Sequence, residues 1–187
     1  AKALHNFGAV FYEKGDYAKA VNYFTRSLKL KEEIGDKKGA AASINNIGNI
    51  YLEQGNTAKA KEYYQRSLKI SRELNNMNAI AGALSNMGLI SSNEGDFELA
   101  LDYQKQSLEI RNDIEDENGI AVCLSNIGQI YNELDDYDEA LTYFDRGIEL
   151  YRKLGDKQGI AMSLNDFANT HFEQKDYEKA ISFSKRS

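Results

Sequence analysis

Four amides and one acid recur at a constant spacing of 40 residues along the chain, at Asn6, Asn46, Asn86, Asn126 and Asp166. An amide side chain both donates and accepts hydrogen bonds, so a row of amides can pair with the N–H and C=O groups of an extended polypeptide. Asparagine also costs roughly 0.7 kcal/mol relative to alanine inside a helix. Its regular recurrence therefore indicates a constraint that comes from binding or from packing.

Further polar residues share the same predicted helix side. A spacing of three or four residues keeps side chains on one side of a helix, which extends the candidate binding set to Asn6, Asn46, Asn49, Asn86, Asn126, Gln129, Asn132, Asp166 and Asn169. Two other interpretations stay open: the amides cap or bridge neighbouring helices, or they persist from the duplication of an ancestral unit. Simple inheritance is disfavoured because adjacent positions have diverged to Lys2, Ala42, Gly82, Val122 and Met162.

Other residues that could do chemistry are isolated in the sequence. His5 and His171 lie four repeats apart, and we expect them to be groove or surface residues. Cys123 occupies a position that is otherwise alanine or serine, which indicates a small packing residue. Residues 113–119 are acidic but do not have the alternating ligand order of a calcium loop, so we expect a turn. The sequence predicts neither an enzyme nor a metal or cofactor site.

Composition excludes several classes of protein. The chain of 187 residues has no proline, 42% hydrophobic and 28% charged residues, and no apolar run near the roughly 20 residues of a membrane span. Its net charge of −6 argues against nucleic-acid binding, which draws on clustered lysine and arginine. The single cysteine fits a reducing compartment, so we expect a cytoplasmic protein.

Charge is distributed unevenly along the chain. Residues 1–80 carry 13 Lys+Arg against 8 Asp+Glu, whereas residues 81–160 carry 6 against 17. The acidic middle could steer a basic partner toward the protein. The alternative is that these charges only solvate outer faces.

The elements that position these residues follow from the same repeat. Each unit reads as two helices, the first from about Lys37 to Gln54 in the second unit, with an apolar stripe at Ile44, Ile47, Ile50 and Tyr51. A turn of glycine followed by Asp or Asn separates the helices, and residues 136–139 suggest a capping box. We expect small residues to meet where the two helices cross, namely Gly8, Gly48, Gly88 and Gly128 against Ala20, Ala60, Ala100 and Ala140.

These units resemble the tetratricopeptide repeat. The pattern of a large apolar residue, an apolar–glycine pair, an aromatic, and later an alanine followed by an aromatic is met in the second unit by Ile44, Ile47, Gly48, Tyr51, Ala60 and Tyr64. The 40-residue unit without proline is similar to the subclass seen in Pins-type scaffolds and bacterial peptide-responsive regulators. The third unit departs at Ser91 and Gln104 and the fifth at Ala168 and His171, which predicts looser packing there.

The resemblance implies an all-α superhelix of antiparallel helix hairpins, a tetratricopeptide solenoid. Its units would be residues 1–40, 41–80, 81–120 and 121–160 with a partial fifth at 161–187, all in one domain. Since the chain does not begin with methionine, we expect it to be a piece of a longer protein. Leu4, Phe7, Ala161, Leu164, Ile181 and Phe183 would then lie near unfinished stacking faces, which predicts end-to-end association.

The implied function is protein–protein interaction in a concave groove lined by the amide ladder. Related arrays that bind acidic C-termini use lysine and arginine on these faces, whereas the matching positions here are Asn, Ser, Ala and Gln. The resemblance therefore predicts a neutral or basic peptide as partner, with no nucleic acid and no membrane. The alternative is a self-association or regulatory module within a larger signalling protein.

Overall fold

A computed structural model describes residues 1–185, and these residues form ten α-helices and no strand. The helices run in chain order as α1 Lys2–Glu13, α2 Tyr17–Glu33, α3 Lys37–Glu53, α4 Thr57–Glu73, α5 Met77–Asn93, α6 Phe97–Asp113, α7 Glu117–Glu133, α8 Tyr137–Leu154, α9 Lys157–Glu173 and α10 Tyr177–Ser184. Each predicted repeat is one pair of helices, so the all-α prediction is confirmed. None of the helices in this part of the chain is long and apolar enough to cross a membrane.

Contacts divide the chain into two compact units, residues 1–90 and 91–187. In the first unit α1 packs on α2, α2 on α3, and α3 on α4. In the second unit α6 packs on α7, α7 on α8, α8 on α9, and α9 on α10, while α7 also touches α9 directly. Packing within each unit therefore follows chain order, as expected of stacked repeats. The single continuous solenoid over residues 1–187 stays a prediction.

The turns combine a left-handed residue with a helix cap. Glycine takes positive φ in five turns, between 69° and 80°, and the residues that take it elsewhere are Asn75, Glu115, Asp135 and Lys175. The next residue is an Asp or Asn whose side chain usually accepts the backbone N–H three residues on, as Asp16 does from Lys19. Asp136 makes no such bond, so the predicted capping box is not formed there.

A glycine in the first helix accommodates an aromatic ring of the second. A Cβ on Gly8, Gly48 or Gly128 would lie 2.6 to 2.8 Å from the ring of Phe24, Tyr64 or Phe144, respectively. The predicted packing of these glycines against Ala20, Ala60 and Ala140 stays a prediction, and the atoms nearest each glycine belong to the aromatic ring four residues after that alanine. These alanines are themselves fully buried.

The divergent repeats keep buried side chains at their substituted positions. Ser91 and Gln104 are both 0% exposed, and Ser91 Oγ has no hydrogen-bond partner. His171 is also buried, which corrects its assignment to the groove or surface. Its ring stacks on Phe183 with centroids 5.5 Å apart, so it takes the place of the aromatic residue of the first, second and fourth repeats. Leu164 is buried as well, so it does not present a free stacking face.

Each second helix is followed by the first helix of the next repeat, and the residues that meet where these two helices join are matched in size. The second-helix residue is Lys31, Ser71, Arg111 or Tyr151, and the residue eight positions later is Gly39, Ala79, Gly119 or Gly159. A Cβ on Gly159 would overlap the Tyr151 ring, and one on Gly119 would overlap the Arg111 side chain. The only alanine of the series occurs where the second-helix residue is a small serine. The structure thus gives a steric reason for glycine near the start of three first helices.

Candidate functional site

The predicted ladder residues lie on first helices and none of them is fully buried. Asn6, Gln129 and Asn169 are exposed, while the other six are half-buried, namely Asn46, Asn49, Asn86, Asn126, Asn132 and Asp166. Their side chains are therefore not sealed between helices. Their hydrogen bonds and cavities differ between the two units.

In the first unit the ladder residues bond to one another across repeats. Asn49 Oδ1 accepts a hydrogen bond from the Tyr64 hydroxyl at 2.8 Å and another from Asn86 Nδ2 at 3.3 Å. Asn46 Nδ2 lies 3.5 Å from Nε2 of His5, the residue next to Asn6. At these positions bridging between repeats, which the sequence left open, is part of what the amides do.

In the second unit four ladder residues surround one cavity. Gln129, Asn132, Asp166 and Asn169 line a space of about 510 Å³, which we call the amide cavity. Gln129 Nε2 donates to Asp166 Oδ2 at 3.2 Å. Asn132 Oδ1 is buried and has no hydrogen-bond partner. An unpaired buried acceptor costs about 1–3 kcal/mol, so rotation of the Asn132 amide toward an N–H group bound in the amide cavity would be favourable.

Two further cavities lie between first helices at equivalent places in the two units. The α3/α5 pocket, of about 440 Å³, is lined by Lys38, Ala41, Ala42, Asn45, Asn46, Ser67, Asn76, Asn78, Ala79 and Gly82. The α7/α9 pocket, of about 290 Å³, is lined by Asn118, Val122, Ser125, Asn126, Gln129, Tyr151, Asp156, Gln158, Gly159, Met162, Ser163 and Asp166. Most residues of the second pocket stand two repeat lengths after a residue of the first, so the two pockets are one repeated feature.

The chemistry of the two pockets differs. The α3/α5 pocket contains a lysine, four asparagines and no carboxylate. The α7/α9 pocket contains the carboxylates of Asp156 and Asp166 and no lysine or arginine. Val122 and Met162, which replace Ala42 and Gly82, are 44% and 61% exposed and add an apolar wall. Divergence at these positions has therefore produced two pockets of different polarity.

Asp166 is the acidic member of the ladder and lines both the α7/α9 pocket and the amide cavity. Burial raises the pKa of its carboxyl group, and the hydrogen bond from Gln129 opposes that shift. Because the folded-state pKa lies above that of the unfolded chain, the folded state favours the protonated form. Asp166 therefore destabilises the fold at neutral pH, and this penalty disappears as the pH falls below the unfolded-state pKa. A residue kept at such a cost is a candidate for function.

His5 belongs to a polar cluster between the first two repeats. Lys31 is only 6% exposed, and its Nζ donates to the carbonyl of Gly39 at 3.1 Å and to Ser43 Oγ at 3.0 Å. The same Nζ lies 3.3 Å from His5 Nδ1. Burial and the nearby Lys31 charge lower the pKa of His5, which favours the neutral imidazole. The cluster supplies hydrogen-bond acceptors for the buried Lys31 side chain.

The remaining isolated residues have packing roles. Cys123 is fully buried, donates to Ser107 Oγ at 3.3 Å, and has its thiol pKa raised mainly by burial. A buried thiol with a raised pKa is a poor nucleophile. The acidic run at residues 113–119 spans the turn at residues 114–116 between α6 and α7, where Asp116 pairs with Arg111 and caps α7. Both predictions from the sequence are confirmed.

Several residues that line the pockets lie outside the set of site residues predicted from the sequence. Asn118, Gln158 and the α9 cap Asp156 line the α7/α9 pocket, and Asn45, Asn76 and Asn78 line its counterpart. Part of this set could have been found from the sequence, since residues 118, 122, 126 and 129 are three or four positions apart and lie on one side of a helix. The residues that a neighbouring helix contributes to each pocket depend on how the two helices pack, and the spacing along one helix does not predict them.

The fold and these sites can be compared with known proteins. The Tetratricopeptide repeat family matches residues 1–73, 79–153 and 120–187. The crystal structure of BtubC (BKLC) from P. vanneervenii has a TM-score of 0.85 at 22% identity, covering 99% of this chain and 77% of that chain. Curated proteins give no significant match in sequence.

Two further solved structures show the same fold over a smaller share of their own length. The Rap protein complexed with competence and sporulation factor has a TM-score of 0.86 at 17% identity, covering 98% of this chain and 51% of that chain. The STAND protein PH0952 from Pyrococcus horikoshii, with a tetratricopeptide repeat sensor, has a TM-score of 0.84 at 22% identity, covering 98% and 28%. This chain therefore spans about half or less of these two proteins.

The family match covers most of the chain, and the structure has the stacked helix hairpins of that family. Hairpins follow one another in register within each unit, with glycine against an aromatic ring in three of them. Tetratricopeptide repeats generally serve as non-catalytic modules of protein–protein interaction or as regulatory sensors. By its repeats and its fold, the chain belongs to the tetratricopeptide repeat family.

Proposed function

We propose that the chain binds an extended polypeptide of a partner protein along its first helices, with the ladder amides pairing to the polypeptide backbone. The observation that carries this proposal is the amide cavity, where Asn132 Oδ1 is buried and unpaired beside Gln129, Asp166 and Asn169. Every residue of a polypeptide except proline supplies a backbone N–H donor. The Rap protein, a structural relative, is known in complex with competence and sporulation factor, which is consistent with a ligand-binding role for this fold.

The first unit supports the same proposal less strongly. Asn49 and Asn86 already bond to each other and to Tyr64, so a ligand would compete with these bonds. Asn6 is exposed and lies beside His5, the partner of Asn46. We therefore assign the main recognition to Gln129, Asn132, Asp166 and Asn169, and a secondary contribution to Asn6, Asn46, Asn49, Asn86 and Asn126. Because the second unit is acidic, the proposed partner is neutral or basic.

The test is a selection from a random-peptide phage library on the whole chain, followed by titration of the selected peptides against variants. Asn132→Ala is expected to weaken binding about fivefold, the effect of losing roughly 1 kcal/mol of hydrogen bonding. The variant should be as stable as the parent or more stable, since it removes an unpaired buried acceptor. Asn22→Ala, at an exposed position on α2, is the matched control: it should leave the affinity unchanged and gain only the better helix propensity of alanine.

The opposite pattern would contradict the proposal. If Asn132→Ala lowers the unfolding midpoint and leaves the affinity of the selected peptides unchanged, the amide is structural. Failure of the library to yield any peptide that competes for the amide cavity would also count against an extended ligand.

A second candidate function, self-association, is favoured by apolar side chains on the last hairpin. Phe172 and Ile181 are 57% and 56% exposed and line a cavity between α9 and α10. Phe7 and Val10 are similarly exposed on α1. Light scattering over a range of concentrations tests this proposal: a mass that rises with concentration and is reduced by Ile181→Glu supports association, and a constant monomer mass excludes it.

A further inference from the structure

The α7/α9 pocket combines an apolar wall with carboxylates in a way that its counterpart does not. Val122 and Met162 present exposed side chains at its edge, and Asp166 lies half-buried in its lining. The equivalents of Val122 and Met162 in the lining of the α3/α5 pocket are Ala42 and Gly82, and the ladder residue of the first unit that corresponds to Asp166 is Asn86. The scaffold is shared between the two pockets, so the difference lies in the side chains and in the ligand they fit.

The charges that face the α7/α9 pocket have one sign. Asp156 and Asp166 are the ionisable acids of its lining, and lysine and arginine do not occur among the residues that line it. Asp156 already accepts the N–H of Gly159 as the cap of α9, at 3.0 Å. Asp166 has one oxygen in a bond with Gln129, and a carboxylate accepts further hydrogen bonds at both oxygens. Asp166 is therefore the group with capacity for a ligand cation.

We propose that the α7/α9 pocket binds one lysine or arginine side chain of the partner polypeptide, with the aliphatic stem on Val122 and Met162 and the cationic head at Asp166. A long basic side chain buries its methylene groups along apolar surface while its head keeps polar partners, which is the arrangement the pocket offers. Asn126, which has the equivalent ladder position on α7, lines the same pocket and adds a polar side chain near the head. This inference rests on the proposed function and names a specificity-determining residue of it.

Cation binding would also explain why an acid replaces asparagine at position 166 of the ladder. The other four repeats have asparagine at this position, and asparagine would carry no charge penalty on folding. Asp166 is half-buried, and this burial raises the pKa of its carboxyl group because water solvates the charge less well. A bound cation would offset that penalty by favouring the ionised form. The acid thus has a physical use in recognition that it lacks in the unliganded fold.

The pocket can be tested with small probes before any partner is known. The chain has three methionines, so labelling with [¹³C-methyl]methionine gives one reporter in the pocket, Met162, and two internal controls, Met77 and Met87. The probes are the Nα-acetyl amides of lysine and arginine, with those of norleucine and citrulline as neutral counterparts. At pH 7.5 we expect the cationic probes to shift the Met162 signal, with little change at Met77 and Met87.

Variants then separate charge from shape. Asp166→Asn restores the ladder residue of the other repeats and is expected to weaken the cationic probes about tenfold, as for loss of a hydrogen bond to a charged group. Its unfolding midpoint should be no lower than that of the parent, because the buried carboxylate destabilises the fold at this pH. Asp145→Asn, at an exposed position on α8, removes the same charge outside the pocket and should leave the shifts unchanged.

Three results would overturn the inference: shifts of Met162 that are equal for norleucine or citrulline amide, shifts that persist in Asp166→Asn, or no shift with either cation.

The outcome is also separable from that of the proposed function. If the cationic probes bind but the library yields no peptide, the pocket stands and the extended ligand is wrong. If selected peptides bind through the amide cavity without needing lysine or arginine, the extended ligand stands and this pocket assignment is wrong.

Discussion

Tyr64→Ala is expected to lower the free energy of unfolding by about 3–5 kcal/mol, the range for removing a large buried aromatic side chain. Tyr64 is 0% exposed and its ring lies against Gly48. The variant leaves a cavity between α3 and α4 and also removes the hydroxyl that bonds to Asn49. Urea denaturation followed by circular dichroism at 222 nm measures the loss.

The conservative replacement separates the two contributions of this tyrosine. Tyr64→Phe keeps the ring and removes only the hydrogen bond to Asn49 Oδ1, so we expect a loss of about 1 kcal/mol. Exposed Tyr177 gives the matched control, and Tyr177→Ala should change stability by less than about 0.5 kcal/mol. A cost for Tyr64→Ala similar to that of the control would show that the ring does not support the hairpin.

Gly128→Ala is expected to destabilise the protein by about 1–3 kcal/mol, whereas Gly82→Ala should stabilise it by up to about 1 kcal/mol. A Cβ on Gly128 would lie 2.6 Å from the buried Phe144 ring, so the ring or the helix has to move. A Cβ on Gly82 meets nothing within 4 Å, which leaves only the gain from the better helix propensity of alanine. Thermal unfolding of both variants gives the two signs directly.

A second replacement tests the steric cause. In a Phe144→Leu background the cost of Gly128→Ala should shrink, because the smaller side chain leaves room for the new methyl group. An unchanged cost in that background would mean that the helix backbone, and not the ring, limits this position. The same reasoning applies to Gly48 and Tyr64 in the first unit.

Much of the local structure could be predicted from the sequence because it depends on short-range rules. Recurrence of the glycine, alanine and aromatic positions indicated hairpins, and α3 at Lys37–Glu53 begins and ends within one residue of its prediction. Glycine before Asp or Asn indicated the turns, since positive φ and N-capping are properties of one or two residues. His171 was misplaced because its burial depends on Phe167 and Phe183, whose rings come from two different helices.

The candidate site, like the fold, could be predicted from the sequence only in part. The sequence by itself determined which side chains share the ladder face, because a helix repeats its faces with a fixed period. Only the tertiary structure decided that Asn49 and Asn86 bond to each other, that Asn132 keeps an unpaired buried oxygen, and that Asp166 lines two cavities. These properties depend on the distance and rotation between neighbouring helices, which many distant side-chain contacts set together.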